Sequence, residues 1–66
     1  MRLTDAQIAV IALAQEQGGS VTVREMDKTR EIVTEPNRVV LQLEKKGILR
    51  HTGKYRNASV IWELLT

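Results

Sequence analysis

The chain has 66 residues, 42% apolar and 27% charged, with a formal net charge of +2 and no cysteine. This composition is ordinary for one folded domain and argues against disorder, but a chain this short buries only about 60% of the surface its unfolded form exposes. Disulfides and thiolate metal sites are excluded, and the lone His51 cannot build a zinc site without an unusual set of carboxylates, which leaves good packing or self-association as sources of stability.

Thr4-Asp5-Ala6-Gln7 fits a capping box, with Leu3 placed to pack on Ile8 as a hydrophobic staple. The first helix is expected to run to about Gln17 and to stop at Gly18-Gly19. Ile8, Val10, Ile11, Ala12, Leu13 and Ala14 cover more than one face of it. Two explanations are open: a central helix buried on two sides, or a helix with one side against a second subunit. Ser20-Val21 can form a very short strand. Thr22-Val23-Arg24-Glu25 is a second capping box, which predicts a second helix with Val23 and Met26 inward. That helix ends near Thr29 or continues toward Ile32, the first of the next apolar pair with Val33.

The third helix is capped by Thr34 or Glu35, carries Pro36 in its first turn, where a missing N–H costs nothing, and stops at Gly47. Helical periodicity puts Val39, Val40 and Leu43 on one side with Pro36 and Gly47. Asn37, Arg38, Leu41, Gln42 and Lys45 fall on the other, so Leu41 is an apolar residue in a polar face. A strand over Ile48–Thr52 follows, then a five-residue turn, Gly53–Asn57, then a strand from Ala58 to Leu64 with Val60, Trp62 and Leu64 on one face. Trp62 is expected in the core, because the chain has no phenylalanine and its one tyrosine, Tyr55, falls in the turn segment.

Charge is distributed unevenly. Residues 1–33 are net acidic by one, whereas residues 34–66 carry Arg38, Lys45, Lys46, Arg50, Lys54 and Arg56 against Glu35, Glu44 and Glu63. All six basic residues lie between Arg38 and Arg56, which suggests a polyanion partner. The alternative is a solvated basic face. An enzyme is not expected: the chain lacks cysteine, has one histidine, and has neither a glycine-rich phosphate loop nor paired carboxylates beside a pocket-forming apolar stretch. No cofactor, metal or small-molecule ligand is implied. No apolar run is long enough to cross a membrane and no secretory signal pattern is present, so a cytoplasmic protein is expected, or a nuclear one if the source is eukaryotic. The Asn57-Ala58-Ser59 glycosylation triplet is accordingly read as chance.

Three stretches carry a family resemblance: Ser20-Val21-Thr22-Val23-Arg24-Glu25-Met26, the run from Arg38 through Gly47-Ile48-Leu49-Arg50, and the hairpin closing on Trp62. With them the whole of residues 1–66 resembles a single winged helix-turn-helix domain of the small transcriptional-regulator type. One departure is the segment between the second and third helices, where Thr29 and Arg30 stand near the usual inward leucine. The resemblance implies an α+β fold of three helices plus a small antiparallel sheet with a β-hairpin wing. It also implies sequence-specific binding of double-stranded DNA, with the third helix in the major groove. Arg38 would then read guanine, Asn37 or Gln42 adenine, and Leu41 a thymine methyl. Lys45, Lys46 and Arg50 would meet phosphates, and Lys54, Tyr55 and Arg56 would hold the backbone or minor groove from the wing. For Leu41, partial burial under the wing or at a dimer contact stays open. A narrower resemblance, to Z-DNA-binding winged-helix domains, rests on Asn37 and Trp62. It departs at Leu41, Val33 and Ser59-Val60, and is set aside. A homodimer through the first helix is one expected assembly; a protein-interaction module on the same scaffold is the alternative function.

Overall fold

A computed structural model describes residues 2–29 and 31–65, with the side chains of Asp27 and Lys28 outside that description. Expectations that touch those two side chains or Arg30 therefore lie outside the described residues. The elements in order are helix α1 (Asp5–Glu16), strand β1 (Ser20–Thr22), a 3-10 turn η1 (Arg24–Thr29), helix α2 (Pro36–Lys45), strand β2 (Leu49–Arg56) and strand β3 (Ser59–Leu64).

The local signals at α1 act as the sequence implies. The Thr4 hydroxyl accepts the Gln7 N–H at 3.2 Å and the Gln7 side-chain oxygen accepts the Thr4 N–H at 3.0 Å, which satisfies two orphan donors of the first turn. The helix ends in a Schellman motif: Gly19 N–H donates to the Ala14 carbonyl at 2.8 Å and Gly18 N–H to that of Gln15 at 3.2 Å. The end of α2 repeats the motif, with Ile48 N–H on the Leu43 carbonyl and Gly47 N–H on that of Glu44, both 3.0 Å. Gly47 takes φ +75°, the left-handed turn the motif requires.

The second helix is where the expectation fails. The Thr22–Glu25 capping box forms, with Thr22 N–H donating to the Glu25 carboxylate at 2.9 Å and Glu25 N–H to the Thr22 hydroxyl at 3.2 Å. What it starts is the six-residue 3-10 turn η1, not an α-helix. Within η1 only Met26 is a fully buried apolar anchor, and one anchor does not offset the cost of nucleating an α-helix. The Thr29 hydroxyl donates to the Met26 carbonyl at 2.8 Å, three residues back, which suits the tighter 3-10 spacing. The chain then turns so that Val33 N–H reaches the Thr29 carbonyl at 2.7 Å and Val33 enters the core. The three-helix winged helix-turn-helix expectation is therefore corrected. The fold is α+β, with two α-helices and a three-stranded antiparallel sheet.

The sheet order is β1-β3-β2, so β3 is central and pairs with both neighbours. Ser20, Val21 and Thr22 face Glu63, Trp62 and Ile61, while Leu49, Arg50 and His51 face Leu64, Glu63 and Trp62. The register then slips between His51 and Tyr55, where Thr52, Gly53 and Lys54 stand opposite Ile61. Gly53, at φ +76°, serves this bulge rather than a turn. The turn itself is two residues, Asn57-Ala58, both at positive φ as a type I′ hairpin demands. Of the expected five-residue turn at Gly53–Asn57, residues 53–56 are thus a bulged continuation of β2, and Asn57 belongs to the turn with Ala58, a residue expected in the last strand.

The core joins Val10, Leu13 and Ala14 of α1, Val21, Met26, Val33, the Val39/Val40/Leu43 face of α2, Leu49 and Trp62, with Val60 and Leu64 packed against it. Each fully buried valine, leucine or methionine among them contributes about 1.5–3 kcal/mol relative to exposure. Trp62 meets His51 edge-on at 5.1 Å between ring centroids.

Candidate nucleic-acid interface

Burial of Val39, Val40 and Leu43 fixes the rotation of α2 and turns the opposite face to solvent. Pro36 occupies its first turn, and Glu35 at the N-cap makes no side-chain cap. The Glu35 carboxylate instead pairs with Arg38 at 3.3 Å, in an exposed contact of the kind that contributes little. Arg38, Leu41, Gln42 and Lys45 line one shallow open concavity on this face. Leu41 is 50% exposed, so neither the core nor the hairpin covers it. Lys45 lies in the last turn, where a cation complements the helix dipole. Asn37 is also exposed but does not line the concavity.

Gln42 is half-buried, and its amide is held from below. Gln7, only 4% exposed, donates its side-chain N–H to the Gln42 side-chain oxygen at 3.1 Å, bridging α1 to α2. Sequence reasoning identified Gln7 as a cap and missed this second role. The available signal was position: Gln7 shares the inward row of α1 with Val10 and Ala14, where a polar side chain needs a partner.

The other expected contact residues divide. Lys54 and Tyr55 sit in and beside the β2 bulge and are exposed, Tyr55 by 67%. The bulge is held by its own side chains. Gly53 N–H donates to His51 Nδ1 at 3.1 Å, Lys54 N–H to the Thr52 hydroxyl at 3.2 Å, and that hydroxyl to the Ile61 carbonyl at 2.7 Å. Arg50 is exposed but bonded across the sheet to Glu63 at 2.9 Å. Lys46 is half-buried at the C-cap of α2. Arg56 turns inward: it donates to the Ser20 hydroxyl at 3.1 Å and lies 3.8 Å from the Glu25 carboxylate. Arg24 donates to the Asn57 carbonyl at 3.3 Å, so the hairpin tip is tied back to η1.

Among the described residues no group of three metal-ligating side chains comes together, and no helix is long and apolar enough to cross a membrane. Comparison of the chain with protein-family models, with curated proteins and with solved structures finds no match to any of them.

Proposed function

We propose that this chain binds double-stranded DNA as a small transcriptional regulator, placing the exposed face of α2 in the major groove. The observation that carries the reading is the concavity on α2. Its lining combines two cations, an amide and an apolar side chain, Arg38, Lys45, Gln42 and Leu41, on one rigid helix. The major groove admits an α-helix, and these are the side-chain types that meet base edges, thymine methyls and flanking phosphates there. Lys54 on the β2 bulge supplies a further cation for the backbone beside the groove. The reading requires a compartment that holds DNA.

Selection from a random duplex library at low salt, followed by salt titration of the enriched site, tests this. With about two to four phosphates neutralised, log K should fall against log salt with a slope of roughly −2 to −4. A flat plot, or no enrichment at any salt, rejects it.

A second reading, a protein-docking module, is favoured by the half-exposed apolar side chains Ile8, Ile32, Leu41 and Leu65. On α1, Ile8 lies one turn from the exposed Ala12, a small apolar strip suited to a second copy of the chain. Sedimentation across a hundredfold concentration range separates a monomer from such a dimer.

A further inference from the structure

The geometry points to Gln7, a residue no nucleic acid can reach, as the determinant of which base edges Gln42 recognises. The inference rests on the DNA reading above and sharpens it to a class of bases.

The argument follows a chain of donors and acceptors. Thr4 N–H is a donor and can face only an acceptor, so the Gln7 side-chain oxygen must point to it, at 3.0 Å. The Gln7 NH2 group is thereby turned the other way, into the space between α1 and α2. There it meets the Gln42 side chain at 3.1 Å, and a donor again demands an acceptor, so the Gln42 oxygen faces inward. Gln7 is almost fully buried and its amide cannot rotate without leaving a buried donor or acceptor unpaired, which costs about 1–3 kcal/mol. The NH2 end of Gln42 is what remains for the concavity.

Among the described residues, the polar side chains that line the concavity then present donors to it: the Arg38 guanidinium, the Gln42 NH2 and the Lys45 ammonium, beside the methyls of Leu41. An amide that reads adenine must both donate to N7 and accept from the exocyclic amine. With its oxygen aimed inward at Gln7, Gln42 does not present the donor and acceptor side by side that this pair requires. Guanine, with N7 and O6, and thymine, with O4, offer only acceptors, whereas adenine sets a donor amine beside its N7. The face should therefore select guanine and thymine, with Leu41 on the thymine methyl, rather than the adenine first expected for Gln42.

A Gln7→Glu variant tests this from a distance. Glutamate keeps the capping box, since one carboxylate oxygen still accepts Thr4 N–H. The other oxygen now faces Gln42, whose amide must rotate to donate inward and present its oxygen to the groove. Duplex selection with wild type and Gln7→Glu should show one position moving from guanine or thymine toward adenine or cytosine, with the preference ratio changed about tenfold. Gln7→Met, which neither donates nor accepts, should flatten the preference there. The added negative charge lowers affinity for all duplexes alike and cancels in the ratio. If wild type selects a defined site and Gln7→Glu selects the same bases, the role of Gln7 is refuted while DNA binding stands. If wild type selects no duplex, both fall. Should Gln7→Glu fail to fold, side-chain amide exchange in the wild type decides: a protected Gln7 NH2 and a fast-exchanging Gln42 NH2 are expected, and the reverse overturns the inference.

Discussion

At the level of single residues, position separates cations that the sequence lists as equals. Arg38 faces the concavity and Lys54 the bulge, while Arg56 is committed to Ser20 and Glu25. Arg38→Ala should cost about 1–3 kcal/mol of binding and relax one base position. Lys54→Ala should weaken all duplexes alike and reduce the salt slope by about one. Arg56→Ala should instead lower thermal stability, with the salt slope unchanged, because its partners are within the protein. Binding titrations and melting curves on the three variants check this, and a slope change in Arg56→Ala would return it to the interface. Leu41 needs a different comparison. Because it is half-exposed, Leu41→Ala should change stability by no more than about 0.5 kcal/mol. Any larger loss of duplex affinity then measures a contact, and an unchanged affinity favours protein docking.

Between residues and the whole fold, elements differ in how firmly their own sequence specifies them. Both α-helices were legible, because each carries a start signal and a glycine stop around an apolar pattern of helical period, broad on α1 and confined to one face on α2. The segment after Thr22 has the start signal, but only Met26 is fully buried and Val23 only partly, and a start signal alone does not distinguish an α-helix from a 3-10 turn. The hairpin was legible as a pair of strands but not in register. Gly53 is the usual mark of a turn, yet the turn fell to Asn57-Ala58, and the glycine went to a bulge fixed by His51 and Thr52 side chains. Hydrogen exchange should find the amides of η1 opening at lower free energy than those of α1 or α2, since a single buried anchor holds them. Ala58, at φ +63°, sits where a side chain costs about 1 kcal/mol. Ala58→Gly should therefore raise the unfolding free energy by about 0.5–1 kcal/mol in urea titration without altering binding.

For the whole molecule, one small core carries the stability. Domains of this size have about 3–10 kcal/mol in total. Trp62 touches β1 and β2 through its strand neighbours and is 6% exposed. Trp62→Ala, at about 3–5 kcal/mol, should leave much of the population unfolded at 25 °C, read by far-UV circular dichroism. The membership of this core followed from periodicity, since Val39, Val40, Leu43 and Trp62 all lie where a helical or alternating pattern puts them. The Gln7–Gln42 bridge did not follow, because two polar residues on separate helices give no local sign that they will meet.

The position of β3 between β1 and β2 has a consequence for synthesis. Neither outer strand pairs with the other; Ser20 waits for Glu63, and Leu49 for Leu64. On a ribosome every ladder of this sheet is postponed until the final strand has cleared the exit tunnel, whereas α1 and α2 can begin to coil earlier. A nascent chain arrested before Ser59 has two strands with no template, their apolar sides open to chaperones and proteases. Stalled or nonsense-terminated copies should thus be degraded rather than accumulate as partly folded chains.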